Sequence, residues 1–254
     1  MLVAGGAGRC GCGRATKGSR LHLQDHVNDY SDVFDPLLFG QSPSLREFAA
    51  GGPVWVSPLR SLEYQEYSDE SFLRAVGLGR FWPKLAKFWP TKGPCWDALA
   101  TVVGRDDRHG VILVEAKSHL REMQSTCKAK DPRSLSLIEN AFREVRQALG
   151  VPPSGDWLSP YYQYANRLAH LYFLRVKKGI PAWLVFVYFL GDREQKGPAL
   201  RGEWRVEIAK TKQHLGLPEA NSLLDQWVVN LFPELPILVG THQAGSAQPR
   251  LPTE

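Results

Sequence analysis

Hydrophobic positions change their spacing along the chain in a way that predicts both strands and helices. Two strand-like runs, residues 96–103 and 111–117, flank a polar turn that has glycine at each end, Gly104 and Gly110. This pattern predicts a β-hairpin. The nine-residue run Ala182–Leu190 is apolar on both faces, as expected of a central strand. It is too short to cross a membrane, which requires about 20 apolar residues.

Amphipathic segments surround these strands. Helices are predicted to begin after the N-cap Ser68 and to span residues 134–149 and 159–179, where apolar residues recur every three or four positions. Residues 203–209 alternate between apolar and polar, which predicts an edge strand, and a last helix is expected over 218–232. The mixed order predicts an α/β protein with a mixed central sheet flanked by helices.

The two ends of the chain differ in composition from its centre. The first 24 residues are rich in glycine and contain four Lys or Arg and no acidic residue. We expect residues 1–40 to be disordered or poorly ordered, residues 41–240 to form a single domain and residues 241–254 to be a flexible tail. A basic leader without acids also fits a transit peptide.

The net charge gives only local support for an anionic partner. The chain has 31 Lys and Arg against 26 Asp and Glu, a formal charge of +5, but without the first 24 residues the balance is 27 against 26. A nucleic-acid-binding argument from overall charge therefore fails. Residues 117–178 hold eleven basic and five acidic residues. They form either a patch that faces an anion or the solvated faces of helices.

Four cysteines, Cys10, Cys12, Cys95 and Cys127, lack the CxxC pairs and flanking histidines of a zinc site. They are also too sparse for a disulfide framework. We therefore expect reduced thiols in a cytoplasmic protein without a membrane partner.

Candidate chemistry lies in the predicted hairpin. Glu115 and Lys117 are two residues apart on one strand and project from the same face. If the hairpin is symmetric about Asp107, Asp97 lies opposite Lys117; a register shifted by two residues places it opposite Glu115. In either register the three side chains are neighbours, about 5–8 Å apart. Charged groups in hydrophobic strands are costly unless they are paired or bind a ligand.

Two explanations of this cluster remain open. It is either a structural ion pair on a solvated face, in which case the carboxylates point apart or engage arginines, or a divalent-metal site. Mg²⁺ prefers carboxylate oxygens and retained waters, and a metal-bound water is a strong nucleophile against a phosphodiester. A neighbouring lysine would orient that water and offset negative charge on the phosphate.

The residues Pro94-Cys95-Trp96-Asp97 followed by Glu115-Ala116-Lys117 resemble the signature of the PD-(D/E)XK nuclease superfamily. More narrowly they resemble a group of uncharacterised bacterial proteins assigned to this fold. The resemblance covers about residues 60–210 and implies a restriction-endonuclease-like αβββαβ core. Two residues separate Pro94 from Asp97, a spacing that is common in the superfamily.

The resemblance also implies roles for these residues. Asp97, Glu115 and the backbone carbonyl of Ala116 would bind Mg²⁺ or Mn²⁺, and Lys117 would position the water that cleaves nucleic acid, with DNA expected before RNA. Replacing Asp97, Glu115 or Lys117 by alanine would then abolish cleavage without unfolding the protein. The alternative is a catalytically silent nuclease-fold domain that serves as a binding or interaction module.

Further residues are implied as possible additions to the site. Many superfamily members add a glutamate from the first helix, for which Glu66 and Glu70 are the candidates. Gln163 and Arg167 match a QxxxR pattern of the superfamily that points at the active site or at the nucleic-acid backbone. His119, just beyond the strand of Glu115, either reaches the site or caps the end of the strand.

Overall fold

A computed structural model describes residues 10–153, 155–218 and 225–235. In these ranges the protein is an α/β structure built on one five-stranded mixed sheet, with spatial order β1-β2-β3-β4-β5. The strands are β1 (Val54–Ser57), β2 (Ala98–Val103), β3 (His109–Lys117), β4 (Ala182–Tyr188) and β5 (Val228–Leu231). Strands β1, β2 and β3 pair antiparallel, whereas β3, β4 and β5 pair parallel.

Eight α-helices surround the sheet in the described ranges. They are α1 (Gly18–Asn28), α2 (Ser31–Gln41), α3 (Pro43–Phe48), α4 (Asp69–Ala75), α5 (Trp82–Phe88), α6 (Pro132–Leu149), α7 (Tyr162–Tyr172) and α8 (Arg201–His214). Helix α7 continues as a π-helix over Phe173–Lys177. Because parallel strands need a long crossover, α6 and α7 form the connection from β3 to β4. None of the helices in these ranges has the length and apolar character needed to span a bilayer.

Both faces of the sheet are covered by hydrophobic cores. On one face, which we call the α7 face, odd-numbered residues of the hairpin such as Leu99 and Leu113 pack against α4 to α8. On the other, the α1 face, even-numbered residues such as Ala100 and Val114 pack against α1 to α3. Glu115 and Lys117 have the parity of Leu113 and therefore lie under α7, within the protein.

The expectation that residues 1–40 are disordered is wrong for most of this segment. Helices α1 and α2 occupy residues 18–41, and Leu23, Val27, Phe34 and Leu38 are buried in the core of the α1 face. The expectation was based on the glycine-rich, basic composition of the first residues, and it did not take account of the apolar residues that recur at helical spacing after residue 17. Residues 1–9 and the expected tail, 241–254, lie outside the described residues.

The assignment of residues 203–209 to a strand is also wrong, because they lie in α8. Trp204 and Ile208 are buried and one helical turn apart, whereas Val206, which completed the apparent alternation, is exposed. Within the helix predicted for 218–232, residues 228–231 instead form β5, and 219–224 lie outside the described residues. These four residues pair in parallel with residues 184–187 of β4.

The remaining predicted elements are confirmed with small shifts. The hairpin β2–β3, the central strand β4 and helix α4 after Ser68 all form. Helix α6 is capped by the Asp131 carboxylate, which accepts from the Ser134 N–H at 2.8 Å, and ends at Gly150 with a φ of 65°. Helix α7 begins at Tyr162, later than expected.

Candidate active site

The hairpin register brings Asp97 and Glu115 together at the end of the hairpin that is away from its turn. Ala98 pairs with Val114, so the next position places Asp97 across from Glu115. This is the shifted register of the two left open by the sequence. The Asp97 Oδ2 accepts a hydrogen bond from the Ala116 N–H at 2.8 Å. Asp97 remains partly exposed, whereas Glu115 is 1% and Lys117 is 7% exposed.

Glu115 lies between two cations. Its Oε1 pairs with the Lys117 Nζ, and its Oε2 pairs with the Arg167 guanidinium, whose Nε donates at 2.7 Å. Lys117 also donates from Nζ to the Gln163 Oε1 at 2.8 Å. Arg167 donates from Nη2 to the Cys95 carbonyl at 2.7 Å. Helix α7 thus contacts both charged residues of β3, through Gln163 to Lys117 and through Arg167 to Glu115.

The polar residues Gln163 and Arg167 of α7 face the sheet, with Arg167 buried and Gln163 half-buried. Gln163 and Arg167 lie one turn apart on the helix, so both reach the same end of β3. Arg167 is 2% exposed, and its guanidinium carbon lies 4.7 Å from the centre of the Trp96 ring. The QxxxR pattern therefore does point at the cluster formed by Asp97 and Glu115.

The structure distinguishes the two candidate glutamates that precede or begin α4. Glu66 is 6% exposed, and its Oε1 accepts from the Arg20 Nε at 2.6 Å. Burial raises the pKa of Glu66, the charge of Glu115 adds to this increase and Arg20 opposes it. Glu70 instead pairs with Arg74 on the helix surface. Glu66 is therefore the glutamate that lies near the site.

His119 lies at the end of β3, where the structure supports the strand-capping alternative. Its Nε2 is 3.5 Å from a Glu122 carboxylate oxygen. The other Glu122 oxygen accepts from the Ser118 N–H at 2.7 Å. These contacts hold the turn after β3 and direct His119 toward Glu122.

The two facing carboxyls of the hairpin have opposite protonation preferences. Burial, together with the charge of Glu115, raises the pKa of Asp97 to about 8, even though part of Asp97 reaches solvent. Burial also opposes ionisation of Glu115, but the charges of Arg167 and Lys117 outweigh it and lower the pKa of that carboxyl. The cluster therefore pairs an ionised glutamate with an aspartate that readily keeps its proton, a pattern common in active sites.

The cluster assembles only part of a donor set for a hard divalent cation. Glu66, Asp97 and Glu115 are close enough for their charges to oppose one another's ionisation, and a bound cation would relieve this repulsion. In the described part of the chain, no three His, Cys, Asp or Glu side chains are arranged to hold a metal ion. Mg²⁺ commonly binds through one or two carboxylates and retained waters. Asp97 and Glu115 are carboxylates of this kind, and both Glu115 oxygens are paired with Lys117 and Arg167 in this structure.

The ion-pair explanation accounts for part of the cluster. The expectation that these charges lie on a solvated face is wrong, because α7 covers that face of the hairpin. Glu115 does, however, pair with an arginine, as the ion-pair explanation expects. Asp97 is held by a backbone N–H and is not accounted for by this pair. Two neighbouring acids, Asp97 and Glu66, lie where burial and like charge disfavour their ionised forms. Such an arrangement typically marks a functional site.

Sequence reasoning missed the covalent link beside this cluster. Cys10 and Cys95 form a disulfide with a Cα–Cα distance of 6.0 Å, so the expectation of four reduced thiols is wrong for this pair. Cys12 and Cys127 are free cysteines. The partners are 85 residues apart, beyond the reach of local spacing rules, and the argument from reduced thiols to a cytoplasmic location loses its support.

Tyr188 is a second residue that the sequence did not single out. It pairs with Lys117 in the parallel β3–β4 register, and its side chain is fully buried. Its hydroxyl has no hydrogen-bond partner within the described ranges. Burial, with the neighbouring Tyr164 and Glu115, raises the pKa of Tyr188 and keeps it neutral.

Comparison of the chain with models of protein families, with curated proteins and with solved structures finds no match. The fold and the site define an α/β protein with a buried acid–base cluster at the end of a β-hairpin.

Proposed function

We propose that the protein is a metal-dependent nuclease that hydrolyses phosphodiester bonds of nucleic acid, with DNA favoured over RNA. The observation that carries this proposal is the meeting of Asp97, Glu115 and Lys117 at one end of an antiparallel hairpin. Gln163 and Arg167 complete the cluster from α7. This combination agrees with the residue pattern through which the sequence resembles PD-(D/E)XK nucleases.

The order of elements supports a restriction-endonuclease-like core as part of the proposal. Helices α1 to α3 precede three antiparallel strands, a helical crossover follows, and β4 then pairs parallel with β3. This is an αβββαβ order in which α4 and α5 are inserted between β1 and β2. The additional glutamate, Glu66, comes from the loop before α4 and not from the first helix of the core.

The residues of the cluster would have different roles in this reaction. Asp97, Glu115 and the Ala116 carbonyl would hold Mg²⁺ or Mn²⁺, which supplies a water of lowered pKa and neutralises phosphate charge. Lys117, fixed between Glu115 and Gln163, would orient the attacking water and stabilise the charge that develops on the phosphate. Arg167 orients Glu115 and is a positioning residue.

Replacement of Lys117 tests this proposal most directly. The Lys117→Met variant keeps an unbranched side chain of similar length, and Glu115 retains Arg167 as a partner, so the fold should persist. We expect Mg²⁺-dependent cleavage of a labelled duplex to fall on the order of 10²–10⁴-fold. Lys210→Met, at an exposed position on α8, is the matched control and should cleave normally.

Assays of the wild-type protein can also contradict the proposal. Cleavage of labelled DNA and RNA should be followed with Mg²⁺ and with Mn²⁺, together with the thermal unfolding of the protein in each ion. If the wild-type protein cuts neither nucleic acid and shows no metal-dependent thermal shift, the nuclease proposal is wrong.

A basic groove supports a polyanionic partner. Lys84, Lys87, Arg143, Lys177 and Lys178 line a groove of about 570 Å³ between α5, α6 and the π-helical end of α7, together with Glu144, which pairs with Lys177. Partial burial and the charges of Lys84 and Lys177 lower the pKa of Lys178, so these cations repel one another. The groove lies about 20 Å along the helix from Gln163, given a rise of about 1.5 Å per residue. A nucleic-acid backbone would supply negative charge to it.

Charge reversal in this groove should weaken binding of nucleic acid without removing the chemistry. We expect Lys178→Glu to raise the Kd for duplex DNA and to reduce the dependence of log K on log salt by about 0.9 for each lost phosphate contact. Fluorescence anisotropy at several salt concentrations measures both quantities. Arg46→Glu, an exposed position on α3 across the sheet, is the control. Equal effects of the two variants would contradict a groove-specific contact.

A catalytically silent binding module is the second candidate. It is favoured by the pairing of both Glu115 oxygens with Lys117 and Arg167, which an ion-pair scaffold would also need. Calorimetric titration with Mn²⁺ separates the two functions. A nuclease should bind the ion with an affinity that Asp97→Asn removes, whereas a binding module should retain nucleic-acid binding and show no such affinity.

A further inference from the structure

The N-terminal segment, residues 10–17, lies against Glu66 beside the candidate active site and is bonded covalently to Cys95. We call this segment the strap. The Cys10–Cys95 disulfide joins the strap to the residue two positions before Asp97. The Cys95 Sγ also lies 3.5 Å from the Glu66 Oε2. The disulfide therefore joins the strap to the segment that carries Asp97, and it lies next to the Glu66 carboxylate.

Backbone contacts hold the strap against Glu66. The Gly11 carbonyl accepts from the Glu66 N–H and from the Gln65 Nε2, each at 2.8 Å, and the Gly13 N–H donates to the Glu63 carbonyl at 2.6 Å. A Cβ on Gly11 would lie only 2.2 Å from the Glu66 Oε2. The strap thus packs directly on the Glu66 carboxylate, and this residue is only 6% exposed.

Apart from the disulfide, the strap is held by polar contacts. None of its residues contributes to the two hydrophobic cores of the described ranges. Its other contacts include the Arg14–Asp25 ion pair and a bond from the Ala15 N–H to the Gln24 Oε1 at 2.9 Å. The Arg20 Nη2 also donates to the Cys12 carbonyl at 3.1 Å, and the Gln24 Nε2 donates to the Gly13 carbonyl at 3.2 Å. The disulfide adds a covalent cross-link to these polar contacts. Cys10 is exposed and accessible to a reductant.

We propose that the Cys10–Cys95 disulfide is a thiol–disulfide exchange site through which a dithiol reductant uncovers Glu66 beside the candidate active site. One thiolate of the reductant attacks the disulfide, forms a mixed disulfide and displaces one cysteine thiolate, and the second thiol of the reductant then releases the other cysteine. Two electrons and two protons pass to the protein, which gains two thiols, while the reductant becomes a disulfide. The consequence for cleavage depends on the proposed function, but the exchange and the uncovering do not.

Reduction should loosen the strap, which is then held by polar contacts alone, while the fold remains intact because both cores lie elsewhere. Glu66 would then lose its cover and become more accessible to a cation. Cys12 and Cys127 take no part in the bond. Cys12, two residues from Cys10 and exposed, is therefore the matched position for a control.

Thiol counting and hydrogen exchange on the full chain test the proposal. Alkylation without reductant should modify only Cys12 and Cys127, and alkylation after treatment with dithiothreitol should also modify Cys10 and Cys95. Reduction should also speed amide exchange at residues 11–15 and 65–66 on the order of tenfold or more. Cys10→Ser should show this fast exchange without reductant, whereas Cys12→Ser should respond to dithiothreitol as the wild type does.

Cleavage and Mn²⁺ binding by the same samples keep this proposal separate from the proposed function. We expect cleavage to be faster and Mn²⁺ binding to be tighter in the reduced protein and in Cys10→Ser. Reaction of Cys10 and Cys95 before reduction, or unchanged amide exchange after it, would overturn the strap proposal. If exchange responds to reduction while neither redox state cleaves nucleic acid, the strap proposal holds and the nuclease proposal fails.

Discussion

Glu115→Ala is expected to lower the free energy of unfolding by about 3–5 kcal/mol as well as to abolish cleavage. Glu115 neutralises both Lys117 and Arg167, and all three side chains are nearly inaccessible to solvent. Removal of the carboxylate leaves two buried cations without their shared partner. The resemblance implied that this substitution would not unfold the protein, whereas the burial of Glu115 between two cations predicts a loss of stability.

Urea unfolding of Glu115→Ala and of Glu70→Ala measures this difference. Glu70 pairs with Arg74 on an exposed surface, so its removal should cost only about 0–1 kcal/mol. Glu115→Gln, which keeps the shape and an acceptor oxygen, should be destabilised less than Glu115→Ala and should be equally inactive. A Glu115→Ala protein as stable as Glu70→Ala would show that the two cations do not depend on Glu115 for their burial.

Asp97→Asn should have the opposite effect on stability, and the effect should depend on pH. The folded-state pKa of Asp97 is about 8, above its ordinary value of 3.8, so folding favours the protonated form. Below about pH 4 both states are protonated and the substitution should change little. Between about pH 4 and pH 8 the unfolded wild-type chain ionises while the folded protein holds its proton, so the wild type loses stability and the asparagine variant does not.

Above about pH 8 the advantage of Asp97→Asn should reach its maximum. Each pKa unit corresponds to about 1.4 kcal/mol, and partial exposure of Asp97 reduces the full shift, so we expect a gain of about 2–4 kcal/mol. Burial, Glu115, Lys117, Glu66 and the Ala116 N–H together set this pKa. An asparagine oxygen still accepts from the Ala116 N–H, which preserves the local geometry.

Urea unfolding at about pH 4 and about pH 9 tests this prediction, with Asp131→Asn as the control. Asp131 caps α6, and the hydrogen bond from the Ser134 N–H lowers its pKa, so its replacement should bring no gain at high pH. Asp97→Asn should also lose Mn²⁺ binding, and binding of the ion to the wild type should release a proton. A stability difference that does not change between the two pH values would contradict the raised pKa.

Local periodicity was sufficient for the elements that carry the site. The strand-like run over residues 111–117, after a polar turn with glycine at each end, predicted β3, and the shared face of Glu115 and Lys117 followed from the pleat. The i, i+4 spacing of Gln163 and Arg167 predicted that both would point the same way. The register that places Asp97 opposite Glu115 could not be predicted, because the turn permits two registers that preserve the same parity.

The sequence by itself determined the α/β class, the hairpin, the central strand and the shared face of Asp97, Glu115 and Lys117, because these depend on contacts between near neighbours in the chain. Only the tertiary structure decided that Arg167 shares Glu115 with Lys117, that Glu66 and not Glu70 lies beside them, and that Cys10 bonds to Cys95 next to the cluster. These contacts join residues as far as 85 positions apart. Burial, charge and packing between distant segments choose among such partners, and spacing along the chain does not encode that choice.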